Sequence, residues 1–191
     1  MAILILGLVI FLGVHSVRIF APAWRDARVA SMGEGPWKGV YSLVAVVGLV
    51  LMIWGYYLAR PLAPVLYSTP FWMVHLQLLL MALSFIALAA AELPAGRLKP
   101  MLKHPMLVAV KLWAFGHLLV NGDLASVLLF GAFLAWAVVD RISAKRRNAP
   151  IPAPGPVSND ILAAVIGLVV YGLFVWKLHE WLIGVPVPMG A

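Results

Sequence analysis

Cysteine is absent from the 191 residues. That excludes disulfides, thiolate metal ligands and catalytic thiols, and leaves His, Met and carboxylates as the side chains able to hold a metal. Charge is scarce as well: Asp, Glu, Lys and Arg make up 11% of the chain, against 64% hydrophobic residues and a mean hydropathy of +1.01. A soluble domain carries about 45–50% apolar residues, so the composition predicts an all-α, polytopic integral membrane protein. No GxGxxG, P-loop or HExxH pattern occurs, and no motif recurs at a fixed interval. The eight methionines are scattered and form no cluster of the kind a copper site uses. The net charge of +7 comes from Lys and Arg placed between apolar runs, which reads as membrane topology and not as nucleic-acid binding.

A membrane span needs about 20 apolar residues, and six segments approach that length, at roughly 2–20, 37–59, 70–92, 105–121, 124–140 and 160–183. The N-terminal run lacks a basic n-region and a small-residue cleavage site, so it is expected to stay as the first membrane helix. The fourth and fifth runs are joined only by Asn121-Gly122-Asp123, a tight turn in which Asn or Asp can cap the next helix, and they read as a helical hairpin. Connections after the first, third and fifth runs hold eleven Lys and Arg, against two in the others. Both termini are therefore expected on the non-cytoplasmic side. Trp24, Trp37, Trp54, Trp72 and Trp181 fall near expected span ends, where amphipathic rings favour headgroups. Residues 148–159 are rich in proline and read as an extended linker, dividing the chain into a five-helix domain at 1–147, the linker, and a sixth helix with its tail at 160–191.

Polar residues inside apolar helices are costly and usually mark a site. The stretch KHPMLVAVKLWAFGHLLVNGD, residues 103–123, concentrates them. His117 lies well inside the fourth run, with Trp113 four residues before it and Asn121 four after, on one helical face. It reads either as an axial ligand to haem or as a histidine bonding between helices. His15 is a second intramembrane candidate. Arg18 follows near the span end, able to snorkel or to meet an anionic group such as a haem propionate. His104 and Lys103 place cationic donors at the mouth of the fourth run, where Pro105 suits a first helical turn. Lys111, seven residues after His104, reads either as paired with a group such as Glu92 or a ligand carboxylate or as a lysine that snorkels to the interface. His179, beside Glu180, reads as facing the interface. By rise per residue, His15 lies about 8 Å from the cytoplasmic face and His117 about 18 Å. That offset opens a second option for the partner of His117, namely His75, which enters from the outer side.

The segments FLGVHSVRIFAPAWRDARV, GEGPWKGVYSLVAVVGLVLMIWGY and KHPMLVAVKLWAFGHLLVNGDLASVLLFGAFLAWAVVDR together resemble the NnrU family of bacterial membrane proteins, across most of residues 1–147. The resemblance implies a link to denitrification and nitric oxide metabolism. The family is also similar to the plant and cyanobacterial 15-cis-zeta-carotene isomerase, a membrane haem b enzyme. That similarity implies haem b ligated by His15 and His117. The isomerase has a cysteine three residues before the second histidine; here the position is Ala114, so the alternative thiolate ligand is missing. The Lys103-His104-Pro105 start also resembles the Arg-His-Pro of membrane methyltransferases acting on lipid or isoprenoid substrates.

These readings converge on a haem b-binding protein of the bacterial inner membrane with a redox or isomerase-like role. The alternatives are a membrane methyltransferase and a non-catalytic accessory factor for a denitrification enzyme. The expected cofactor-binding set is His15, His117, Arg18, Lys111, Trp113, Asn121, His75 and His104, with His15 and His117 on the iron and His75 as the alternative ligand. Expected partners are the lipid bilayer, an apolar or gaseous small molecule and denitrification proteins, with no nucleic acid.

Overall fold

Lipid offers a backbone no hydrogen bonds, so an apolar run in a membrane satisfies its own N–H and C=O groups by coiling into a helix. The computed structural model describes residues 1–187 and is helical on that principle; residues 188–191 of the 160–191 segment lie outside the described residues. Five helical stretches are long and apolar enough to cross a membrane: Ala2–Phe20, Glu34–Leu62, Met73–Glu92, Leu124–Arg146 and Val157–Ile183. A sixth apolar helix, Pro105–Val120, is shorter at 16 residues, which is about 24 Å of helix. The expected runs coincide with these elements to within three residues, except that the fifth, expected to stop at 140, continues to Arg146. Large apolar side chains such as Leu43, Val50, Tyr57 and Val169 point outward from them, as lipid contact requires.

In chain order the helices are α1 (Ala2–Phe20), α2 (Pro22–Met32), α3 (Glu34–Ala59, continued by a 3₁₀ turn Arg60–Leu62), α4 (Met73–Glu92), α5 (Leu98–Leu102), α6 (Pro105–Val120), α7 (Leu124–Arg146), α8 (Val157–Leu173) and α9 (His179–Ile183). A π turn, Phe174–Leu178, joins the last two. The helix α2 falls where the sequence reading placed only a basic loop. Pro22 opens it, Gly33 at φ 85° ends it, and none of its residues is buried. Trp24 meets the edge of the Trp37 ring at 5.8 Å and carries the Arg28 guanidinium over its face at 5.5 Å, so α2 has the makings of an interfacial helix.

The chain divides into two compact units. The first comprises residues 1–67 and 121–147, hence α1, α2, α3 and α7. Its centre is an antiparallel contact between α1 and α3 made backbone against backbone. A Cβ placed on Gly48 would lie 2.7 Å from the Phe11 nitrogen, and on Gly7 and Gly55 it would come closer still to the backbones of Met52 and Leu4. Small residues that let helices approach in this way are the usual adhesive between membrane helices, where no hydrophobic drive acts. Phe133 of α7 packs its ring against Phe11 of α1 at 5.7 Å. At one end of the unit Arg147 donates to the Arg18 carbonyl at 3.1 Å and to the Ser143 hydroxyl.

The second unit comprises residues 68–120 and 148–191, of which 148–187 are described. Here α6 and α8 both pack on α4. Ser84 of α4 donates to the Ala109 carbonyl of α6 at 2.8 Å in a buried bond, and Gly167 of α8 lies so close to α4 that a Cβ would meet the Ile86 Cα at 2.8 Å. The helices α6 and α7, read from sequence as one hairpin, thus belong to separate compact units, with Asn121–Asp123 handing the chain from one to the other. The proline-rich stretch and the first turn of α8 are pinned at several points: Gly155 donates to the Gly96 carbonyl at 3.1 Å, Asn159 to the Ala95 carbonyl at 2.9 Å, and Asp160 accepts from the Arg97 and Leu98 amides at 2.8 and 2.9 Å.

Candidate functional site

The expected site residues fall into both units, and each unit gathers its own cluster. In the first, the end of α3 and the start of α7 are tied by a polar chain. Asp123 has extended backbone and is the N-cap of α7: its carboxylate accepts from the Ser126 amide at 2.9 Å and from the Ser126 hydroxyl at 2.6 Å. Ser126 is fully buried and shares a 2.8 Å bond with the Tyr56 hydroxyl, while the Arg60 guanidinium stands 4.0 Å from Asp123. Leu66 donates to the Gly122 carbonyl at 2.8 Å and Leu124 to the Pro64 carbonyl at 3.0 Å. The Tyr67 hydroxyl donates to the Asn121 carbonyl at 3.2 Å. Burial, and next the negative charge of Asp123, hold that hydroxyl above its ordinary titration range, so it keeps its proton as a donor. We expect Asp123→Ala to lower stability by about 1–2 kcal/mol through loss of the cap, measured as a lower denaturation midpoint in detergent. The expected capping role of Asp123 is therefore seen in the structure.

Asn121, expected on the helix that carries His117, lies just past its end. The helix α6 ends at Val120, and Asn121 enters the turn, where Tyr67 takes its carbonyl. Gly122 sits so close to Tyr67 that any side chain there would strike its carbonyl oxygen, and the turn is held against residues 64–67.

His15 lies further along α1, half-buried among aromatic rings. Its Nδ1 is 2.7 Å from the Phe11 carbonyl; a carbonyl only accepts, so Nδ1 carries the proton and Nε2 holds the lone pair. The rings of Phe11, Tyr41 and Trp136 surround it at centroid distances of 4.3, 5.3 and 6.0 Å. The Trp136 indole N–H is buried and has no hydrogen-bond partner among the described residues, an omission that costs about 1–3 kcal/mol unless a ligand supplies an acceptor. Arg18 is exposed.

In the second unit His117 is half-buried near the C-terminal end of α6. Its Nδ1 donates to the Trp113 carbonyl at 2.9 Å, and the Trp113 ring lies 5.6 Å away. Beside it stands the imidazole of His179, centroids 6.4 Å apart and planes inclined by only 17°. His179 in turn donates through Nδ1 to the Val185 carbonyl at 2.6 Å. Sequence reading missed this neighbour. On a regular helix the buried positions Ala163 and Gly167 would bring Leu178 onto the packed face some four turns on; the π turn Phe174–Leu178 inserts one residue and brings His179 there instead. Nothing in the sequence marks that insertion.

The remaining candidates stand apart from this pair. His75 is exposed, with its ring edge-on to Phe71 at 5.7 Å. Lys111 is half-buried and makes no ion pair among the described residues; Glu92, offered as its partner, is exposed. His104 precedes Pro105, which opens α6 as expected, and its carbonyl accepts from Val108 at 3.2 Å. Among the described residues no group of three or more His, Asp or Glu is arranged to hold a metal ion.

A family model described as NnrU protein matches residues 3–187. No curated protein and no solved structure matches the chain.

Proposed function

The chain belongs to the NnrU family, and from that premise we propose that it is a haem b-binding protein of the bacterial inner membrane, with a redox or isomerase-like role linked to denitrification and nitric oxide metabolism. The observation that carries this reading is the state of the intramembrane imidazoles. His15 and His117 each give the Nδ1 proton to a carbonyl of their own helix, Phe11 and Trp113 respectively. Histidines that ligate a metal almost always anchor the other nitrogen in this way, which fixes the tautomer and raises the basicity of Nε2. With no cysteine in the chain, imidazole is the donor suited to haem iron. The unmatched Trp136 N–H beside His15 adds a donor to which a bound group would answer. Haem, when bound, supplies reversible one-electron chemistry and an iron able to take small gases as ligands.

In this reading His117 would be a ligand of the iron. Lys111, on the same helix as His117, would be the cation available to a propionate. The basic connections face the cytoplasm and both termini face away. The partner molecules are apolar or gaseous, or are other proteins of denitrification.

Protein purified in mild detergent after haem-supplemented expression is expected to show a Soret band, with sharp α and β bands on reduction. His117→Ala is expected to lower retained haem about tenfold or more, since even outer-shell changes at metal sites cost 10–100-fold. Folded but colourless wild-type protein would refute the proposal.

A further inference from the structure

We propose that the end of the first unit where α1 and α7 finish binds one anionic phospholipid, its phosphate on Arg146 and Arg147 and an acyl chain along Phe20 and Ile142. The proposal does not rest on the haem reading. It starts from a groove of about 440 Å³ between the two helix ends, with Ile19, Phe20 and Pro22 on one wall. Sites for small molecules measure about 300–1,000 Å³.

The other wall is a single stripe of α7. Val139, Ile142, Ser143 and Arg146 line it and recur at three- and four-residue steps, which keeps them on one helical face. Along the axis the stripe passes from two aliphatic side chains through a hydroxyl to two guanidinium groups, those of Arg146 and of Arg147 just beyond the helix. A phospholipid lying beside the helix presents the same order, hydrocarbon first and phosphate last. Phe20 and Ile142 are exposed, so the apolar part of the groove is open to a chain.

Charge favours an anion at the polar end. Arg146 is exposed and makes no ion pair among the described residues. Arg147 is held in place: its Nη1 donates to the Arg18 carbonyl at 3.1 Å and to the Ser143 hydroxyl, and its Nη2 stands 3.8 Å from Asp140. A guanidinium still has N–H donors to spare after these contacts, and one already fixed loses little freedom on meeting a phosphate. Arg also matches phosphate oxygens in pairs. Basic pockets between membrane helices are where anionic headgroups bind. Depth agrees with this. Pro22 opens α2, and Trp24, two residues on, is exposed, at the headgroup level that Trp favours.

Native mass spectrometry of the full chain in detergent, titrated with dioleoyl phosphatidylglycerol, reads the site. Wild type is expected to retain one such lipid per chain, and to hold phosphatidylcholine with the same chains about tenfold more weakly, because that headgroup has no net charge. Arg146→Gln is expected to weaken phosphatidylglycerol binding about fivefold, the share of one cation near an anionic surface. The double variant Arg146→Gln, Arg147→Gln is expected to weaken it about 25-fold. Arg146 bonds nothing else in the fold, so its single variant decides the matter where loss of Arg147 unsettles α1. Lys145→Gln removes the same charge one residue away, outside the groove, and is expected to bind as wild type does, since salt screens an exposed charge. Inorganic phosphate is expected to leave the lipid in place. Displacement by phosphate alone would overturn the proposal in favour of a free-anion site. Equal retention of the two lipids, or equal weakening by Lys145→Gln and Arg146→Gln, would overturn it in favour of unspecific lipid contact.

Discussion

Gly55→Leu is expected to abolish the native state of the first unit. The register of α1 on α3 places Leu4 against Gly55, Met52 against Gly7 and Phe11 against Gly48, and at each glycine an added Cβ would strike main-chain atoms of the opposite helix. A side chain can swing away from an intruding methyl group, but a helix backbone must move as a body. Overpacking a core typically costs 1–3 kcal/mol when side chains absorb it; here we expect about 3 kcal/mol or more, a large part of the stability of a small domain. Detergent-solubilised Gly55→Leu should lose its monodisperse elution profile, and Gly7→Leu should behave likewise. Gly13→Leu is the control, because no atom lies within 4 Å of a Cβ there; it should elute and melt as the wild type does. Equal damage from Gly13→Leu would mean that the backbone contact is not the cause.

Asp160→Ala is expected to have the next largest effect, about 2–3 kcal/mol, because hydrogen bonds to a charged group are each worth about 1.5–3 kcal/mol. Both carboxylate oxygens are in use, one on the Arg97 amide and the other on Leu98, at the start of α5. A carboxylate there also complements the positive end of that short helix. The same residue secures the segment before α8, whose other ties are Gly155 on Gly96 and Asn159 on Ala95. Limited proteolysis should therefore cut Asp160→Ala faster than wild type between residues 148 and 156. Asp160→Asn keeps one acceptor and should fall between the two. Unchanged cleavage in the alanine variant would show that the remaining two bonds suffice.

Hydropathy made the membrane helices legible to within a few residues, because burying a backbone in lipid leaves a long apolar run little alternative to a helix. The N-cap at Asp123 was legible for a similar reason: a carboxylate three residues before a serine amide, at the start of an apolar run, has one obvious local task. What escaped depended on distant partners or on irregular backbone. The helix α2 is too short and too polar for a hydropathy scan. Asn121 was read as part of the fourth run, whereas the helix ends at Val120 and the Asn121 carbonyl is taken by Tyr67. Extended chain was expected at 148–159, but its hydrogen bonds to residues 95–98 have no local signal. His179 was assigned to the surface because a single π turn, invisible in the residue pattern, shifts the phase of its helix. The histidine nominated most firmly, His117, does stand in a cluster; the neighbour that the structure gives it is one that no spacing rule could have supplied.

The way the two units share the chain bears on how the protein is made. Synthesis proceeds from the N-terminus, and α1 can close on α3 as soon as both have entered the bilayer, yet α7 arrives only after residues 68–120 have been produced. During that interval the face of α1 that carries Phe11 has no Phe133 to meet. The second unit waits in the same manner: α4 and α6 are complete before α8 exists, and Gly167 has yet to find Ile86. A nascent chain arrested near residue 120 would thus contain two half-built bundles and no finished one. Such intermediates expose unsatisfied helix faces to one another and to other proteins. Expression of this protein should accordingly depend on uninterrupted elongation through α7 and α8.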